Sequence, residues 1–268
     1  MRWVSRFIWV VFFLVATAML GPLAASAQPM AVDTVRVGDG VVDGSFIQPY
    51  TITWQSYKTS PEGETTAGNT VEETVEFVEG SGGRLLKFAQ AWYNPEGTLL
   101  YINTQVADPT TLAQRKFHSL APSGGIGHLD VEGTRLQGVA AYTPEGEHVR
   151  FDIELGEPIF ADGLAGLLLA AFPLRDGYEV AFPGFGWGGT CSEPCLSWTQ
   201  FRVVDRERMD VKNVGPMETW IVELGPQPGS GLRYWITKEA PYFVKAVAPS
   251  ANGATSTFEI LSWTATAD

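Results

Sequence analysis

The sequence predicts an α+β fold that is mostly antiparallel β, a curved sheet or unclosed β-barrel wrapped around one buried helix. Three observations predict it. Short segments alternate apolar and polar residues with period two, Gly and Pro clusters punctuate them, and one segment is apolar almost all round.

Residues 1–27 stand apart from that pattern. Two arginines open the chain, residues 7–20 are apolar, and Ala25-Ser26-Ala27 is a small-residue cleavage signature, which together read as a secretory signal peptide. The apolar run falls short of the roughly 20 residues that span a bilayer, and Gly21-Pro22 interrupts it, so no stable membrane anchor is expected after cleavage. No cysteine follows the cleavage point to take a lipid. The expected address is the periplasm, with secretion as the alternative.

Residues 28–44 are rich in Gly, Asp and Val without a sustained period and read as an extended lead-in. Residues 45–268 read as a single β-rich domain. Tyr50, Ile52 and Trp54 share one face of a strand over 50–58, and Val71, Val75 and Phe77 one face of a strand over 71–79, with Glu72, Thr74 and Glu76 opposite. Further strands are predicted over 84–93, 98–103, 135–142, 148–154, 178–182, 198–205, 217–224, 232–238, 242–248 and 255–263. Asn94-Pro95-Glu96-Gly97 and Thr143-Pro144-Glu145-Gly146 are turn sequences between such strands and predict hairpins. Over 162–172 Asp162 offers an N-cap, the face-to-face apolar pattern calls for burial, and Pro173 supplies a stop.

The net charge is −12, and it becomes more negative once Arg2 and Arg6 leave with the leader. Such a field repels a phosphate backbone, which excludes nucleic acid as a partner and an anionic membrane surface held by charge alone. Gly184-Phe185-Gly186-Trp187-Gly188-Gly189 matches the spacing of a dinucleotide fingerprint, but Thr190 to Cys195 with Pro194 does not continue as the required helix. No cofactor is expected.

Cys191 and Cys195 are the only cysteines, and an oxidising compartment permits them to pair. A ring of about five residues contributes roughly 2 kcal/mol by loop closure, enough to pin a local loop. The three-residue spacing departs from the two-residue spacing of thioredoxin-type redox pairs. The histidines are His118, His128 and His148; His128 and Asp130 share a strand face, being two residues apart. Convergence of His118, His128, Asp130 and His148 would make an envelope hydrolase or metalloprotein, the alternative reading. Neither a zinc-protease helix motif nor a nucleophile elbow is present. Asp33, Asp39 and Asp43 carry oxygens for Ca²⁺, but their spacing is not that of an EF-hand loop.

Nine tryptophans remain to be placed, two of them in the leader. Indoles line both cores and ligand clefts. Trp54, Trp92, Trp187, Trp198 and Trp235 are the candidate ligand-lining residues.

The run from Leu167 through Pro173 to Gly177-Tyr178 resembles the helix, proline stop and following strand of an exported domain-of-unknown-function family akin to the Lol-type lipoprotein carriers. Asp108-Pro109-Thr110-Thr111-Leu112, Tyr234-Trp235-Ile236 and Pro241-Tyr242-Phe243-Val244-Lys245 follow the same order. The resemblance spans about residues 45 to 263. It implies an unclosed β-barrel with a helix plugging its concave side, and no catalytic residues; the Gly184 to Trp198 insertion departs from the pattern. The expected function is therefore non-enzymatic binding of an apolar ligand or cell-envelope component in a half-barrel cavity. A structural or interaction module acting through a sheet edge is the third possibility.

Overall fold

A computed structural model describes residues 32–80, 82–141, 148–186, 195–225, 229, 231–250 and 252–266. The strands are β1 (Asp33–Thr34), β2 (Tyr50–Thr59), β3 (Thr65–Gly80), β4 (Gly83–Tyr93), β5 (Leu99–Ala107), β6 (Gln114–Leu120), β7 (Ile126–Glu132), β8 (Arg135–Ala141), β9 (Val149–Glu154), β10 (Glu179–Gly186), β11 (Cys195–Val211), β12 (Gly215–Leu224), β13 (Leu232–Ile236), β14 (Phe243–Pro249) and β15 (Thr255–Ala265). They form one sheet in the order β1-β10-β11-β12-β13-β14-β15-β2-β3-β4-β5-β6-β7-β8-β9. β1 runs parallel to β10, and every other pairing is antiparallel.

Alternation sets the curvature's inner face. Tyr50, Ile52 and Trp54 of β2 are buried, as are Val71 and Val75 of β3, while their neighbours face outward. Register shifts at Gln55/Tyr57, Trp92/Tyr93, Val203/Asp205 and Ile260/Ser262 add local bends that curl the sheet. The curl is not closed by strand pairing. Instead the segment after β9 bridges the gap between β6 and β10: Gln114 N donates to Ile159 O, Ala161 N to Leu112 O, and Phe160 N to Pro183 O. Pro183 has no N–H of its own to lose, and its carbonyl serves this bridge.

The bridge leads directly into a 3₁₀ turn, Asp162–Leu164, and then α1, Ala165–Ala171. A seven-residue helix has little stability of its own, so burial holds it. Gly166 and every residue from Leu167 to Ala171 are buried. The Lys238 ammonium donates to the carbonyls of Ala170 and Phe172 at its C-terminal end, and Asp43 N donates to Ala171 O. Asp162 does not act as the expected N-cap: Ala161 holds that position for the 3₁₀ turn and Leu164 for α1, neither with a side-chain bond. The Asp162 carboxylate instead accepts the backbone N–H groups of Phe185 and Gly163. Among the described residues no helix is long and apolar enough to cross a membrane.

The main core gathers the inner face, the helix, Ile47 and the lead-in, where Val35 and Val42 are buried. A second cluster of Leu129, Leu136, Phe151 and Ile159 fills the space beneath β7 to β9. The turn at 94–97 is a hairpin as expected, with Gly97 at φ 79° and its N–H bonded to Asn94 O. The 143–146 turn lies outside the described residues, between the antiparallel strands β8 and β9. Residues 184–186 of the Gly-rich run continue β10 as strand, so no helix N-terminus forms there for a phosphate.

Candidate functional site

A cavity of about 60 Å³ lies between the sheet's inner face and the N-terminal end of the helical segment. Trp54, Trp92, Phe243, Phe258 and Leu232 form its apolar wall, and residues 163–166 form the opposite side. Leu232 opens β13 and Trp92 lies near the end of β4, so the cavity sits toward the rim where those strands meet their hairpin turns. The C-terminal end of α1 plugs the other rim, where Lys238 follows β13. Trp54 stacks flat on Phe243, with ring centroids 4.2 Å apart and 13° between planes. That space is several times the ~10–15 Å³ that one water molecule needs by the same measure, so as it stands the cavity takes a slim group.

The cavity has one polar corner. Gln90 lines it, donates from Nε2 to Glu73 Oε2 at 2.9 Å, and accepts from Trp92 Nε1 at 3.2 Å. Glu73 is fully buried and also accepts the Tyr50 hydroxyl at 2.8 Å. Its donors are neutral, and among the described residues no cation pairs with it. Burial therefore pushes its carboxyl up to about 7, against the pull of the hydrogen bonds. The Trp54 indole N–H lies close enough to favour the ionised acid, yet Nε1 is buried without a hydrogen-bond partner. Desolvation likewise raises Tyr50 and Tyr234, which stay neutral. Asp162 is a second raised acid, pushed up to about 6 by burial at the base of the seam bridge.

Of the predicted aromatic set, Trp54 and Trp92 line the cavity and are 2% exposed. Trp235 sits on the outward face of β13: its Nε1 donates to Glu207 Oε1, and the Lys245 ammonium lies 5.0 Å from its ring. Trp198 is 39% exposed with the Arg36 guanidinium 5.7 Å from its ring. Neither borders the cavity. Trp187 and Cys191 lie outside the described residues, and with Cys191 the expected pairing to Cys195.

The histidine set assembles in part. His118 and His128 are register partners across β6 and β7, with Nδ1 atoms 3.0 Å apart, and His128 Nε2 is 2.8 Å from Asp130 Oδ2. Lys116 Nζ closes the row 3.1 Å from Asp130 Oδ1. Both His128 nitrogens are thus engaged, and the Nδ1 contact requires one ring to accept. Burial, and then the neighbouring His128, hold His118 below the ordinary histidine range. His148 does not join. It precedes β9, two strand spacings of about 4.8 Å from β7, and Arg150, two residues further on, is what aligns with His128 through Val139. Among the described residues no group of three His, Cys, Asp or Glu could hold a metal ion, so the four-residue site is not built.

The lead-in acids serve the backbone. Asp39 accepts the N–H groups of Arg36 and Val41, and Asp43 that of Ser45. Glu223, 1% exposed at its side chain, receives Arg233 Nε at 2.9 Å and has Arg202 3.9 Å away. Arg202 and Arg233 are its register partners on either side, which makes this a cross-strand ion triad holding β11 to β13.

Among solved structures the chain is similar to a β-barrel-like protein of the DUF1849 domain of unknown function from Brucella abortus. Identity is 10% and the TM-score 0.49, over 82% of this chain and 99% of that one. It is also similar to a protein from Bacteroides fragilis described as exported with a YmcC-like fold, at 9% identity and TM-score 0.35 over 84% and 99%. A third, described as a lipoprotein from Parabacteroides distasonis, gives 9% and 0.30 over 83% and 99%. No curated protein matches. The pattern of one family matches residues 49–259, which takes in the cavity, the buried acid and the helix: the chain belongs to DUF3108, a family of proteins of unknown function.

Proposed function

We propose that this is a non-enzymatic exported protein that binds an apolar ligand or cell-envelope component between its sheet and its helix. The observation that carries the reading is the cavity itself: an indole-walled, apolar space held open in an otherwise close-packed core and capped by a short helix. The leader supports export, with the periplasm as the working compartment. A seven-residue helix held mainly by burial can shift when a ligand replaces its contacts, which reconciles the small resting volume with a longer guest.

Native mass spectrometry of the mature protein from its own envelope fraction, beside an organic extract of the same sample, tests this. A bound apolar mass that also appears in the extract is the expected result. A bare mass, together with no binding of a fluorescent naphthylamine probe, overturns it.

A further inference from the structure

Resting on that reading, we infer that the cavity selects its guest by head group: it takes an apolar molecule ending in a neutral group that both donates and accepts hydrogen bonds, such as a hydroxyl or amide, and rejects carboxylates and phosphates. One observation at the polar corner carries this independently of the apolar wall, an uncompensated acid. Glu73 lies behind Gln90 and Trp54 with neutral donors around it and no cation among the described residues.

An anionic head placed at Gln90 would bring a second negative charge beside a buried carboxyl, where low polarity makes repulsion strong. A hydroxyl does the opposite. It can donate toward Gln90 Oε1 and accept from the second amide N–H of Gln90. The apolar remainder then runs along Trp92, Phe258 and Leu232 toward the rim.

The test displaces the naphthylamine probe with dodecanol and with dodecanoate, which share a chain and differ in the head. Dodecanol is expected to bind at least about tenfold more tightly, and Glu73→Gln to shrink that gap. On the unsubstituted protein the preference should widen between about pH 5.5 and pH 8.5 as Glu73 ionises. The groups facing it, Tyr50, Gln90, Trp54 and Tyr234, do not change charge over that range. Equal binding of the two ligands, or a preference untouched by both Glu73→Gln and pH, overturns this inference alone. Failure of the probe to bind at all overturns the cavity reading and this one with it.

Discussion

Gly166 of the helix lies so close to Phe243 of β14 that a Cβ on the glycine would sit 2.1 Å from Phe243 Cδ1. The ring cannot retreat, because Trp54 stacks on it and Tyr234 packs edge-on at 6.0 Å. Gly166→Ala is therefore expected to destabilise by about 1–3 kcal/mol through overpacking, although alanine is the better helix former by about 1 kcal/mol. Gly163→Ala meets only the end of the Gln105 side chain and should cost less. Urea midpoints at unchanged m-value decide between them.

Stability should fall as pH rises from about 4.5 to about 7. The Glu73 carboxyl ionises near 4.5 in the unfolded chain and near 7 in the folded one, so across that window the unfolded chain sheds its proton first and gains. Asp162, raised to about 6, acts in the same direction. Glu73→Gln keeps an oxygen for the Gln90 amide and turns an N–H toward the Tyr50 hydroxyl, which can accept it, but cannot ionise, and should recover on the order of 3 kcal/mol above pH 7 and little below 4.5. At the acid end Asp152, held at about 2 by its hydrogen bonds to Arg135, stabilises the fold above the ordinary carboxylate range and ceases to as pH falls through 2. Denaturant unfolding measured from about pH 3 to pH 8.5 should thus show its optimum on the acid side of neutrality; an optimum at pH 8 would contradict the placement of Glu73.

Glu223→Ala should cost about 1–3 kcal/mol, because it removes one of the two carboxylates beside Arg202, whose side chain is only 11% exposed but which keeps Glu179 3.8 Å from its Nε and the Gly225 carbonyl on its Nη2. Arg233→Ala removes a group that is 45% exposed and should cost about 1 kcal/mol or less. Comparable losses in thermal unfolding for the two variants would show that the triad is not organised around the buried acid.

His118 should titrate below the ordinary histidine range and move up when His128 is replaced by alanine, since the neighbouring ring is one of the causes of its depression. His148→Ala should leave the His118 curve where it is. Proton NMR of the imidazole C–H signals follows each ring separately.

Much of the wall was legible because period two is a local property. Tyr50, Ile52 and Trp54 announce their face, and Asn94 to Gly97 announce their turn. β6 escaped because its alternation is inverted, with Gln114 and Ser119 buried while Leu120 is 56% exposed, and β7 because it buries only Leu129 and Val131. The second half of β11 escaped because Asp205-Arg206-Glu207-Arg208 is exposed throughout and is held in place by β12. Glu73 carried a readable signal that the strand analysis passed over: it is in phase with Val71 and Val75, an acid on the apolar beat. The partial histidine row shows the limit from the other side. Sequence placed His128 with Asp130, whereas whether His148 belonged depended on how many strands lie between, which only the pairing order decides.

Three peptide units separate Phe160, which ties the seam to Pro183, from Gly163, which forms part of the cavity wall. That leaves no slack. The circumference of the half-barrel and the height of its stopper are set by one short length of chain, so spreading the two margins of the sheet and lifting the helix off Phe243 are a single displacement. On the binding role proposed above, a guest too thick for the resting space would have to work against the seam as well as the stopper, and the strap rather than the aromatic wall would gauge the width of what can enter.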